Sequence, residues 1–108
     1  MYALDTNTLI YFFKGMGRVA EHLLAQPPSE IGIPLVAVYE IETGIAKSSR
    51  PTARRRQFDQ LLEVVQILPF DHTAARQAAR LRAHLETLGT PIGPLDTLIA
   101  GIALAQRT

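Results

Sequence analysis

The segment at residues 2–13, which reads YALDTNTLIYFF, decides how this chain folds, because one carboxylate, Asp5, separates a short apolar run from a helix-like pattern. Side chains such as those of Asp5, Thr6 and Asn7 hydrogen-bond to neighbouring backbone amides, which is typical of residues that open a helix. The residues that follow are mostly apolar and favour a largely buried helix. We therefore predict a strand that ends before Asp5 and a helix that begins directly after it.

The composition is that of a folded protein and excludes several kinds of site. Of the 108 residues, 47% are apolar and 19% are charged, which fits one small domain over residues 1–108. No apolar run approaches the roughly 18 residues needed to span a bilayer, and Met1 is not followed by a secretory leader, so we expect a cytoplasmic protein. The absence of cysteine excludes disulfides, zinc–thiolate sites and cysteine nucleophiles.

Short apolar runs alternate with longer helical patterns along the rest of the chain. Two further strands are predicted near Ile31 and Ile67, and Pro34 is predicted as the first residue of a helix. Helical patterns cover residues 19–24, 35–47, 58–65, 72–88 and 94–103. Asp71 is predicted to cap the fourth of these helices, and Gly89 is predicted to end it. This order predicts an α/β domain in which a small parallel sheet is flanked by helices on both faces, with a ligand site at the carboxyl ends of the strands.

Three acidic residues stand where a merely solvated side chain is not the first expectation. Asp5 lies at a strand end, Glu40 lies among apolar residues on a predicted helix, and Asp96 lies in the first turn of the last helix. Each also has a purely structural interpretation. Asp5 would cap a helix, Glu40 would be an ordinary surface residue, and Asp96 would complement a helix dipole.

Taken with their neighbours, the three acids resemble the signature of a known family. The segments LDTN at residues 4–7, YEIETG at 39–44 with Lys47 and Ser48 after it, and PIGPLDTLIA at 91–100 look like the three signature segments of VapC-type toxins of the PIN-domain ribonuclease family. The resemblance covers essentially the whole chain. It implies a three-layer α/β/α fold and a Mg²⁺- or Mn²⁺-dependent endoribonuclease that is the toxin half of a toxin–antitoxin pair.

The resemblance also implies roles for individual residues. Asp5, Glu40 and Asp96 match the family's catalytic and metal-binding acids, and Thr6 and Asn7 match polar residues that would orient Asp5. Glu42 competes with Glu40, but two residues apart on a helix means a different face, so we favour Glu40. Magnesium suits such a site because it prefers oxygen ligands and retains waters, one of which can attack the phosphate. Cleavage would leave a 5′-phosphate and a 3′-hydroxyl.

A basic stretch follows the second segment and is predicted to contact RNA phosphates, although a solvated face is the usual role of such a run. Its members are Lys47, Arg50, Arg54, Arg55 and Arg56. No aromatic residues are interleaved, so stacking of bases on aromatic rings is not indicated. The three histidines, His22, His72 and His84, have no ligand-spaced partner and are interpreted as structural.

The resemblance further implies a homodimer and an antitoxin peptide that binds over the active site, with DNA contacted only through the antitoxin. Some of the large apolar residues Phe12, Phe13, Leu23 and Leu24 are expected to form the exposed groove or dimer face. Gly44, one helical turn beyond Glu40, is expected to leave space beside that carboxylate.

Relatives in this family continue past the position of Thr108 with a further strand that carries a fourth acidic or amide residue, so we expect the last strand to be missing here. Either the sequence is a shortened form, or a partner supplies the strand. Two alternatives to an active ribonuclease therefore stay open. One is a catalytically weak relative that binds the antitoxin. The other is an aspartyl-phosphate phosphohydrolase, because residues 5–8 resemble a haloacid dehalogenase loop, although that loop has a second Asp where Asn7 stands.

Overall fold

The computed structural model describes residues 2–13 and 25–107. Its strands are β1 (Tyr2–Ala3), β2 (Ile31–Pro34) and β3 (Gln66–Leu68). Its α-helices are α1 (Thr6–Phe13), α2 (Leu35–Ala46), α3 (Pro51–Val64), α4 (His72–Thr87) and α5 (Pro94–Ala105), and a short 3₁₀ helix covers Pro28–Glu30. The predicted helix at residues 19–24, together with His22, lies outside the described residues.

The three strands form one parallel sheet in the order β1-β2-β3. Tyr2 is paired with Ile31, and Ile33 is paired with Ile67. The Leu4 amide continues the pairing by donating to the Gly32 carbonyl at 2.9 Å. The predicted small parallel sheet within an α/β fold is therefore confirmed, and Asp5 follows the carboxyl end of β1.

The hydrophobic core has two parts on the elements that surround this sheet. The larger part contains Leu9 from α1, Ile33 from β2, Ile41 from α2 and Phe58 from α3. Phe58 is fully buried, and burial of such a side chain contributes about 1.5–3 kcal/mol. The smaller part contains Leu68, Ala74 and Ile102. The contacts of the larger part fix α1 and α2 relative to one another. Glu40 lies on α2, and Asp5 directly precedes α1.

Helices α4 and α5 pack closely because small residues face each other. A Cβ atom on Gly101 would lie 2.6 Å from the Ala78 Cβ and 2.7 Å from the Ala74 carbonyl oxygen. Since real Cβ atoms do not approach so closely, glycine is required at this contact. The approach holds α5, the helix that carries Asp96, against α4.

The helix ends follow the sequence signals, with one correction. Asp71 Oδ1 accepts a hydrogen bond from the Ala74 amide at 2.9 Å, as expected of a helix cap. Gly89 has a φ of 71° and follows the end of α4, as predicted. Pro34, predicted as the first helical residue, is instead the last residue of β2 and precedes α2, because its ψ of 138° is extended. No helix among the described residues is long and apolar enough to cross a membrane.

Candidate active site

Asp5 lies in an exposed position between β1 and α1, and its carboxylate caps the helix. Asp5 Oδ1 accepts a hydrogen bond from the Thr8 amide at 2.8 Å. Within the described residues its second oxygen, Oδ2, has no hydrogen-bond partner. The structural and functional interpretations of Asp5 are thus compatible, because one oxygen holds the helix and the other is available to a ligand.

Glu40 lies half-buried on α2 and receives a hydrogen bond from the first segment. Thr6 Oγ1 donates to Glu40 Oε1 at 2.7 Å. The expected role of Thr6 and Asn7 in orienting Asp5 stays a prediction. The Thr6 hydroxyl bonds to Glu40, because the first turn of α1 faces α2, and the exposed Asn7 side chain has no hydrogen bond to any described residue.

Glu42, the competing carboxylate, lies in a different environment from Glu40. Arg55 Nη1 donates to both Glu42 oxygens, at 2.7 and 2.6 Å, and so joins α2 to α3. The hydrogen bond to Glu42 raises the pKa of the Arg55 guanidinium above its ordinary value. Glu42 is therefore committed to an ion pair, whereas Glu40 forms none within the described residues.

Asp96 lies exposed in the first turn of α5. Its Oδ2 lies 3.6 Å from the position that a Cβ on Gly93 would occupy. The neighbouring Thr97 is buried, and its hydroxyl donates to the Gly93 carbonyl at 3.0 Å, which fixes the helix start. Asp96 has no hydrogen bond or ion pair with any described side chain.

The chemistry of these three carboxylates suits a hard divalent cation, although the described structure does not group them around a metal position. All three offer oxygen ligands, and across residues 2–13 and 25–107 the ion pairs involve other acids, Glu42 and Glu86. In the same residues, no group of three or more His, Cys, Asp or Glu side chains is arranged to hold a metal ion. The structure brings Thr6 and Glu40 into contact, and Asp5 and Asp96 are exposed acids.

A pocket of about 340 Å³ lies beside Glu40, between α1, α2 and α3. Its apolar floor comes from the exposed Ile10 and from Ile41 and Ile45, with the fully buried Phe58 behind them. Polar side chains complete the lining: Thr6, Glu40, Ser48, Arg54 and Gln57. Ser48 and Gln57 cannot be assigned to a site from local sequence patterns, because they converge only through the packing of α2 on α3. Gly44 was the available signal, since it was expected to leave space beside Glu40 and it lines this pocket.

The basic stretch is divided by the structure. Arg55 is paired with Glu42, whereas Arg54 lines the pocket beside Glu40. The side chains of Lys47, Arg50, Arg54 and Arg56 are exposed and form no ion pair with a described residue. Four of the five residues predicted to contact phosphates are thus exposed cations without an ion pair among the described residues.

A larger cavity of about 640 Å³ lies between α4 and α5 and contains none of the three acids. Its lining is mostly apolar and includes Phe70, Leu85 and Ile92. The charged residues on its lining, Arg82 and Glu86, form an exposed ion pair at 2.9 Å. We place the candidate active site at Glu40, because hydroxyl, amide and guanidinium groups converge beside its carboxylate.

The remaining residues singled out in the sequence lie elsewhere. His72 and His84 are exposed helix residues. The predicted groove or dimer face lies outside the described side chains: Phe12, Phe13, Leu23 and Leu24.

Comparisons with known proteins define the class of this fold and site. The family model for the PIN domain matches residues 2–108. The chain therefore belongs to the PIN-domain family. Within that family it is 30% identical over 102 residues to the "tRNA(fMet)-specific endonuclease VapC" of Salmonella typhimurium, a match that covers 94% of this chain and 77% of the relative. It is 26% identical over 115 residues to "Ribonuclease VapC2" of Rickettsia felis, covering 99% and 81% of the two chains.

Solved structures agree with the sequence comparison. A crystal structure of VapBC2 from Rickettsia felis, bound to a DNA fragment from its promoter, contains a chain that matches with a TM-score of 0.89 and 28% identity over 99% of this chain and 82% of that one. DNA-bound VapBC from Salmonella typhimurium gives a TM-score of 0.89 with 30% identity, over 97% and 80% of the two chains. The predicted three-layer α/β/α PIN fold and the resemblance to VapC proteins are confirmed.

Proposed function

We propose that this chain is the endoribonuclease toxin of a toxin–antitoxin pair and hydrolyses RNA with Asp5, Glu40 and Asp96 as its catalytic and metal-binding residues. The hydrogen bond from Thr6 to Glu40, at 2.7 Å, carries the proposal. It joins the first and second of the three segments that resemble the VapC signature, and it orients an acid that no cation of the described chain neutralises. The VapC relatives named as ribonucleases support the same activity.

The proposed cofactor is Mg²⁺ or Mn²⁺, held by the carboxylates of Asp5, Glu40 and Asp96. Such an ion supplies an activated water and stabilises negative charge on the phosphate. The residues of the chain prepare this site in two ways. The Thr6 hydroxyl holds Glu40 Oε1, which leaves Oε2 for a ligand. The Thr8 amide holds Asp5 Oδ1, which leaves Oδ2. Asp5 and Glu40 thus each keep one oxygen for a ligand while the other oxygen is held.

The proposed partners follow from the relatives. The two VapBC structures are complexes with DNA, and the family resemblance implies that this chain is the toxin member of such a pair. We propose a VapB-type antitoxin as the binding partner, an RNA substrate, a homodimer and a cytoplasmic location. DNA would be contacted through the antitoxin.

RNA cleavage with and without a chelator tests the proposal. The purified chain is incubated with RNA in Mg²⁺, in Mg²⁺ with excess EDTA, and as the Asp96→Asn variant in Mg²⁺. Cleavage to products with a 5′-phosphate is expected only for the unmodified chain without EDTA. Cleavage that persists both in EDTA and in Asp96→Asn would contradict the assignment of these acids to a metal site.

A second candidate, an antitoxin-binding protein with weak catalysis, is favoured by one observation. Among the described residues the acids are not gathered into a group arranged to hold a metal ion. Calorimetric titration with Mg²⁺ separates the two candidates. An active ribonuclease should bind the ion more tightly when RNA is present, because the phosphate adds oxygen ligands. Millimolar binding that RNA leaves unchanged would favour the second candidate.

A further inference from the structure

Gly44 occupies a position where the described fold gives no reason for a glycine. It lies in the last turn of α2 and has no positive φ. A Cβ atom built on it would meet no described atom within 4 Å. Two other glycines differ in this respect. A Cβ on Gly101 would lie 2.6 Å from Ala78, and a Cβ on Gly32 would lie 2.7 Å from Leu68. Because glycine is less favourable than alanine in a helix, Gly44 lowers the stability of the chain when no ligand is bound.

That space belongs to the pocket beside Glu40. The pocket has an apolar floor, and at about 340 Å³ it lies at the lower end of the ~300–1,000 Å³ usual for ligand sites. Three hydrogen-bond donors line it. Ser48 Oγ already accepts from the Arg50 amide at 3.0 Å, so its hydroxyl hydrogen remains to donate. The Arg54 guanidinium and the Gln57 amide have no hydrogen-bond partner within the described chain.

The lining carries one acid, Glu40, and one cation, Arg54, and further cations near the Arg54 end of the pocket favour an anionic group there. Arg54 forms no ion pair with the described residues, whereas its neighbour Arg55 is held by Glu42. Lys47 and Arg50, on the segment that joins α2 to α3, are exposed cations as well. A phosphate on Arg54 and Ser48, with a base over the apolar floor, would use the cation, the donors and the open space together.

We propose that the pocket between Gly44 and Arg54 binds one nucleotide of the substrate RNA, next to the phosphodiester that Glu40 helps to cleave. This inference rests on the proposed function. Glu40 lies one helical turn before Gly44 and lines the same pocket. Gly44 provides room for the base, and Arg54 and Ser48 position the phosphate. A bulkier side chain at residue 44 would therefore compete with RNA without disturbing the fold.

The test compares Gly44→Leu with Ala46→Leu, which adds a leucine at an exposed position on the same helix outside the pocket. Binding of a fluorescent single-stranded RNA is measured by anisotropy in EDTA, so that the RNA stays intact and the result does not depend on cleavage. We expect Gly44→Leu to weaken binding about tenfold or more, and Ala46→Leu to change it less than about twofold. The melting temperature of Gly44→Leu should equal or exceed that of the unmodified chain.

Abasic scanning identifies the nucleotide. In the unmodified chain, removing the base at one position of the RNA should weaken binding. In Gly44→Leu the same abasic RNA should bind no worse than the intact RNA, because the pocket is already filled. Arg54→Gln should weaken binding and reduce its salt dependence by about one phosphate contact.

Several results would overturn the inference. Unchanged RNA binding by Gly44→Leu is one, and a fall in its melting temperature is another, because another part of the chain would then fill the space. Loss of antitoxin binding with RNA binding retained would assign the pocket to a peptide. Failure of the proposed function is recognised separately, by RNA that binds but is not cleaved in Mg²⁺.

Discussion

Thr6 Oγ1 lies 2.7 Å from Glu40 Oε1, and this hydrogen bond joins residues that are 34 positions apart in the sequence. Among the described residues it is the one hydrogen bond between side chains that connects α1 with α2. Because Thr6 is the first residue of α1, the direction of the Glu40 carboxylate depends on where that helix begins.

Thr6→Val tests this dependence, because valine keeps the branched shape and removes the hydroxyl. We expect RNA cleavage to fall about ten- to a hundredfold, as for other residues that orient metal ligands. Unfolding free energy should fall by only about 1 kcal/mol, the net value of one such hydrogen bond. Thr8→Val is the matched control, since the Thr8 backbone amide, and not its hydroxyl, bonds to Asp5. Equal activity losses in the two variants would contradict the role of Thr6.

Asp5→Asn separates helix capping from catalysis. Asparagine caps helices as well as aspartate does, so the melting temperature should change little, while loss of the charged ligand should reduce cleavage by more than about a hundredfold. Asp71→Asn makes the same change at the cap of α4, where Oδ1 accepts from the Ala74 amide at 2.9 Å. That variant should keep full activity. If Asp5→Asn also kept it, Asp5 would be a cap alone.

Glu40→Gln and Glu42→Gln distinguish the two neighbouring acids. Glu40→Gln should abolish metal-dependent cleavage, because it removes a charged ligand. Glu42→Gln should leave cleavage within about threefold, because it only weakens an exposed ion pair with Arg55. Their contact raises the pKa of Arg55, so the guanidinium stays charged over the whole working pH range. Activity profiles of Glu42→Gln and the unmodified chain should therefore run parallel with pH.

Gly101→Ala and Gly44→Ala should have opposite effects on stability. At residue 101 the new Cβ would lie 2.6 Å from the Ala78 Cβ and 2.7 Å from a backbone oxygen, so we expect a loss of about 1–3 kcal/mol. At residue 44 it would meet no described atom within 4 Å, so we expect a gain of about 0.5–1 kcal/mol from the better helix former. Urea unfolding of both variants measures the difference. A loss at both positions would show that residue 44 is packed.

Local signals in the sequence predicted most of the described fold. Features that depend on residues close in sequence can be predicted from local patterns. These features are the cap at Asp71, the helix end at Gly89 and the strands near Ile31 and Ile67. Pro34 was misplaced by one position because proline suits both the end of a strand and the start of a helix.

Local sequence patterns predict less of the candidate site than of the fold. The three acids were found through their resemblance to a family, but the partner of Thr6 depends on how α1 packs against α2. The lining formed by Ser48, Arg54 and Gln57 likewise exists only once α2 and α3 are docked. No periodicity within a single segment encodes these contacts, since they join residues that lie far apart in the chain.

The Asp5 cap has a consequence for the response of the protein to heat. The first turn of helix α1 is held in part by the same carboxylate that is proposed to bind the metal. Fraying of that turn would release Asp5 and Thr6 together. Activity should therefore decline on warming before the core around Phe58 melts, and a reversible loss of cleavage some degrees below the global transition would be its signature.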